Sequence, residues 1–245
     1  MSQQPGASVT PLFSAMLYAL LGGATIPLGG LIAQFENIRS KWLQEEFRHS
    51  LLAFGAGALL SAVALVLVPE GVARLTPVPA IAAFALGGLV FYGFSRWLES
   101  RGGTGSMLIA MLLDFIPEAL AMGAMFPAHS EMALLLALMI ALQNLPESFN
   151  SFCEIRQKSR MGAGRVLGIF VAIGIVGPVA AWIGYSLLAT QQEVLGLIML
   201  FASGGILYLI FQSIAPNVPL KNSLAPPLGV VAGFMLGLIG QMLVS

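Results

Sequence analysis

Apolar residues run along this chain in long blocks, and the polar positions between them are few and clustered. A helix needs about 20 apolar residues to cross the hydrocarbon core of a bilayer. Breaks at Pro, Gly and charge clusters divide the chain into eight such blocks, at 12–34, 51–70, 78–97, 106–126, 131–155, 163–188, 193–215 and 225–244. The connections left over are short, with no room for a separate soluble domain. The pattern predicts an all-α integral membrane protein with eight transmembrane helices, forming a single transmembrane domain over 1–245. No Lys or Arg precedes the first block, so it lacks the basic leader of a cleaved signal peptide and reads as a span.

Composition agrees with lipid as the main solvent. Hydrophobic residues make up 58% of the chain and charged ones 9%, against about 25% charged in a soluble domain. A soluble enzyme, a nucleic-acid binder and a disordered chain are excluded on that ground. The single cysteine, Cys153, excludes a disulfide framework and a cysteine-built metal site. Net charge is zero, so the informative feature is where the charges fall. Ten of the eleven Lys and Arg residues, among them Arg39, Arg48, Arg96, Arg156, Lys158 and Lys221, lie in or beside alternate connections. Arg74 alone lies on the other side. Basic residues mark the cytoplasmic face, so both termini are expected to be extracytoplasmic.

Two pairs of spans resemble one another. FGAGALLSAVALVLVP (Phe54 to Pro69) and FASGGILYLIFQSIAP (Phe201 to Pro216) each run from Phe to Pro, with Gly57 matching Gly204. DFIPEALA (Asp114 to Ala121) and QNLPESFN (Gln143 to Asn150) each set Pro-Glu in an apolar run. With eight spans the members of each pair cross in opposite directions. Inverted repeats with interrupted helices at mid-membrane are the pattern of secondary transporters.

The fourth and fifth spans also carry the chemistry. An ionised side chain at the bilayer centre costs about 2.5–3.5 kcal/mol, so Asp114, Glu118 and Glu147 together would cost roughly 8–10 kcal/mol unpaired. No Lys or Arg lies at that depth, so protons or a bound cation must compensate. Asp114 and Glu118 are four residues apart and share a helix face, about 6 Å from each other. On the fifth span Gln143, Glu147, Asn150 and Glu154 draw one polar stripe from mid-membrane toward the basic side. Pro117 and Pro146 each leave a carbonyl, of Leu113 and Leu142, without its helical donor. Such backbone is tolerated at membrane depth where it lines a cavity. The plainer reading of each Pro-Glu is a kink with a protonated glutamate bonded to nearby backbone. The methionines on the face of Asp114 (Met107, Met111, Met122, Met125) read as packing rather than as soft ligands. His129, Glu131 and His49 read as solvated loop residues, and Glu70 as an interfacial one.

In these residues the chain resembles the ZIP family of divalent metal transporters. That resemblance implies eight helices in a 3+2+3 inverted-repeat arrangement, with helices 1–3 and 6–8 around helices 4 and 5. It places a first metal site on Asp114, Glu118, Gln143 and Glu147, with Asn144 in an adjoining second site. Asp114 stands where the family usually has His, and Phe115 where it has a ligand Asn. Gln212 and Ser213 stand where the seventh helix often has His-Glu. The implied function is transport of divalent metal cations toward the cytoplasm, zinc first and manganese or iron next. No cofactor beyond the transported metal is implied. The expected partners are that cation and the lipid bilayer, with no nucleic acid and with a homodimer left open. Two other readings stay open: a proton-coupled carrier or channel for a small polar or cationic solute, and a ZIP-like protein that no longer moves metal. No Ser/His/Asp set is present near the carboxylates, so the chain is not expected to be an enzyme.

Overall fold

The computed structural model describes residues 11–36, 41–101, 105–220 and 223–244. Arg39 and Lys221, used above for orientation, lie outside the described residues, as do residues 1–10. Among the described residues the regular elements are helical, apart from an isolated bridge between Leu220 and Ser223. Eight helical rods take the places of the eight apolar blocks. They are α1 (Pro11–Phe35), α2 (Lys41–Ser61, then a π-helical stretch Ala62–Leu67 and a final turn Val68–Val72), α3 (Pro77–Arg101) and α4 (Gly105–Met125). Next come α5 (Ser130–Lys158), α6 (Ala163–Ile183, ending π-helical over Gly184–Leu188), α7 (Gln192–Leu209, π-helical over Ile210–Ile214, closing in a 3₁₀ turn Ala215–Asn217) and α8 (Leu228–Val244). Seven are long and apolar enough to cross a membrane. At 17 residues, α8 spans about 25 Å and sits at the short limit for a crossing helix.

The rods divide into an inner and an outer set. In α2, α5 and α7 61% of the apolar stretch is buried, and in α4 56%. The figure falls to 39% in α1 and α6 and to 28% in α3. Around the periphery Leu21, Phe35, Val78, Ile81, Leu89, Val231 and Met242 stay exposed. Apolar area on that scale needs a non-aqueous surrounding, and these side chains face where lipid would be.

Helix contacts depend on small residues, since between apolar helices in lipid close backbone approach replaces the hydrophobic drive. In α1, Gly23 lies against Gly174 of α6 so closely that a Cβ on either would collide with the carbonyl of the other. The same device recurs between α2 and α8, where Gly57 meets the Val230 carbonyl and Gly233 meets that of Phe54. It recurs again between α7 and α3, where Gly204 meets the Phe84 carbonyl and Gly87 meets that of Phe201. Remaining contacts place α1 against α5 and α6, α4 against α5, α6 and α7, and α2 against α5. Thus α4 and α5, which carry the carboxylates, lie inside.

Candidate functional site

Both Pro-Glu motifs lie within unbroken helices. Pro117 falls inside α4 and Pro146 inside α5, and the helices run through both without ending. The Pro146 ring fits against Gly55 of α2, where a Cβ would lie 2.9 Å from its Cγ. Asn150 donates its side-chain amide to the Pro146 carbonyl at 2.9 Å.

The sequence-derived residues gather at the α4–α5 contact. Asp114 is 4% exposed, Asn144 1%, and Glu118 and Gln143 are fully buried. Gln143 Nε2 donates to Glu118 Oε2 across the two helices. Asp114 Oδ1 accepts from the Phe115 backbone N–H at 2.9 Å, and its carboxyl lies beside that of Glu147. Three buried oxygens there have no hydrogen-bond partner: Glu118 Oε1, Gln143 Oε1 and Glu147 Oε2. An unsatisfied buried acceptor is costly, and more so when charged. All three are acceptors unless a carboxyl is protonated, so they do not satisfy one another. A proton or a cation does.

Asn144 points elsewhere. Its Nδ2 donates to the Gly22 carbonyl of α1 at 3.3 Å, beside Thr25, whose hydroxyl donates to the same carbonyl at 2.6 Å. It thus fastens α5 to α1. Among the described residues no three His, Cys, Asp or Glu side chains converge as a ready-made metal cage. Glu118 is held toward Gln143, while Asp114 faces Glu147.

One side of the site borders a cavity of about 670 Å³, which reaches Glu147 and is lined further along by Asn150, Ser151, Glu154 and Lys158 of α5. Of the polar stripe read from the sequence, Glu147, Asn150 and Glu154 line the cavity, while Gln143 is buried against Glu118. Glu147 lies eleven positions before Lys158, about 16 Å deep along the helix axis. Gln212 and Ser213 of α7 and Glu45, Arg48 and His49 of α2 line the same cavity.

His49 and Arg48, read from the sequence as loop residues, lie in α2. The loop reading missed that α2 begins as a polar helix before its apolar stretch. The methionines behave as packing: Met111, Met122 and Met125 are buried in the main apolar cluster. Glu70 pairs with Arg74 at 2.5 Å, and Arg74 Nε also donates to Gln192 of α7 at 2.9 Å.

No family model matches this chain. A curated protein, the zinc transporter GufA of Myxococcus xanthus, is 31% identical to it over 151 residues. The match spans 59% of this chain and 59% of that relative's length. Long apolar helices, a lipid-facing periphery and this likeness together describe an integral membrane protein similar to a zinc transporter.

Proposed function

We propose that the protein carries divalent metal cations across the membrane through a ZIP-like site between α4 and α5. Zinc comes first, as in the relative's name, and manganese and iron follow. The observation that carries this reading is the set of partnerless buried oxygens on Glu118, Gln143 and Glu147, at a depth where the sequence supplies no basic residue. Carboxylates and amides are a hard oxygen set that takes such cations, and zinc also accepts carboxylates. Ligands come from Asp114, Glu118, Gln143 and Glu147. Loading requires Glu118 to turn from Gln143 toward the Asp114–Glu147 pair. Asn144, bonded to α1, completes a second site only if it lets go of Gly22.

The 3+2+3 inverted repeat belongs to the same reading. Exchanging α1 with α6, α2 with α7, α3 with α8 and α4 with α5 maps the glycine contacts onto each other. Gly57 on Val230 becomes Gly204 on Phe84, and Gly233 on Phe54 becomes Gly87 on Phe201. The π-helical stretches of α2 and α7 also fall at matching places in the aligned Phe-to-Pro segments. In this reading the basic residues mark the cavity mouth as cytoplasmic and both termini as extracytoplasmic, and transport runs toward the cytoplasm.

Uptake of a panel of divalent cations into vesicles reconstituted with wild type or Glu147→Ala tests the reading. Wild type is expected to take up zinc, and the variant to insert normally and take up none. Equal uptake by both would overturn the proposal. A proton-coupled carrier is the second reading, since protons on Glu118 or Glu147 would also satisfy the partnerless oxygens. Solute uptake driven by a pH gradient without added metal would select it.

A further inference from the structure

We infer that the cavity below Glu147 holds a second, transient divalent-cation site built on the His49 imidazole and the Glu45 carboxylate. The inference rests on the transport reading for its purpose, but its geometry is independent of α4. Both residues line the cavity that reaches Glu147. They stand four positions apart on α2, so they are neighbours on one helix face.

The imidazole is already oriented. His49 Nδ1 lies 3.1 Å from the Val218 carbonyl oxygen. A carbonyl only accepts, so Nδ1 carries the hydrogen, and the neutral ring keeps its lone pair on Nε2. Histidines that bind metals are typically held this way, with the second ring nitrogen bonded to a backbone carbonyl or carboxylate that fixes tautomer and direction. The carbonyl belongs to the α7–α8 connection, which a second bond ties to α2: Ser223 Oγ donates to Glu46 Oε1 at 2.7 Å. The anchor of His49 is therefore itself fixed.

Across the cavity Glu154 continues the stripe of Glu147, seven residues and about 10 Å nearer the mouth. Its partner is the exposed Lys158, and an exposed pair of this kind is worth little, so the carboxylate can be recruited. No third His, Cys, Asp or Glu among the described residues completes a cage around His49. Arg48, on the same cavity wall, adds a nearby positive charge. A cation is thus held by two protein ligands and water, and held weakly. A site on an exit path needs that property, since conduction fails where binding is too tight to leave.

The chain has two histidines, which makes the test direct. Full-length His129→Ala protein in detergent is titrated with Cu²⁺ and read by electron paramagnetic resonance. Nitrogen hyperfine coupling from one imidazole is expected, lost on adding His49→Ala and diminished by excess Zn²⁺. Glu45→Gln, which leaves the Val218 anchor untouched, should keep the nitrogen signature and bind Cu²⁺ several-fold more weakly. No nitrogen coupling in His129→Ala protein, or the same coupling after His49→Ala, overturns the inference. Glu147→Ala separates it from the transport reading. A retained nitrogen signal with unchanged uptake sinks that reading and spares this site, whereas lost uptake without the signal does the reverse.

Discussion

Glu118 and Glu147 follow the same dipeptide partner, Pro, in two helices that touch, yet their surroundings differ. Glu118 is fully buried, with one oxygen on the Gln143 amide and the other unpartnered. Glu147 meets the Asp114 carboxyl on one side and the water-sized space of a 670 Å³ cavity on the other. Local sequence explains the likeness, and the neighbours explain the difference. Pro146 packs on Gly55 of α2, and the cavity beside Glu147 is lined by α2, α3, α5 and α7 together with Ala110 of α4, whereas Glu118 lies about two turns further along α4, where that helix packs against α5, α6 and α7. A near-symmetric pair of motifs in an asymmetric packing yields one closed carboxylate and one that borders a cavity.

The contrast can be broken most sharply by thiol labelling. With Cys153→Ala removing the native cysteine, Glu147→Cys is expected to react with a water-soluble maleimide from the cavity side, and Glu118→Cys to stay unmodified. Equal labelling of both would remove the distinction. Next in size is the stabilisation by cation. Saturation at a hundredfold excess over Kd adds about 2.7 kcal/mol, seen as a raised Tm with zinc, and both Glu118→Ala and Glu147→Ala should abolish the rise. A smaller effect is expected from Gln143→Leu, which removes the one uncharged member of the four proposed ligands and leaves the three carboxylates: zinc uptake should persist but need more zinc for half-saturation. Smallest is Lys158→Ala at the cavity mouth. Its pair with Glu154 is exposed, so stability should move by less than about 0.5 kcal/mol, within the scatter of a Tm measurement.

Much of this was readable in the chain. Apolar runs gave the eight rods because lipid enforces helix on any segment long enough to cross it. The stripe Gln143–Glu147–Asn150–Glu154 followed from helical spacing alone, and its last three members line the cavity. Two things were not readable. One is the partition of the site, with Glu118 turned to Gln143 and Asn144 to Gly22, since each choice depends on a neighbouring helix rather than on spacing. The other is His49. Its contact with Val218 joins residues 169 positions apart, and the ten polar-rich residues from Lys41 to Ser50 read as loop because no apolar period marks them as helix.

The π-helical stretches in α2 and α7 have a bearing on chain length. A π turn is an α-helix with one residue inserted, and its backbone downstream keeps the position it would have without that residue. Elsewhere in a membrane helix, loss of one residue turns all that follows by about 100°. In α7 such a turn would swing Gln212 and Ser213 off the cavity wall while Gly204 stayed against α3. Within Ile210–Ile214 or Ala62–Leu67, the same loss reverts the stretch to ordinary helix and leaves both ends in phase. These two stretches are places where the chain can shorten by one residue without rewriting the faces its helices present.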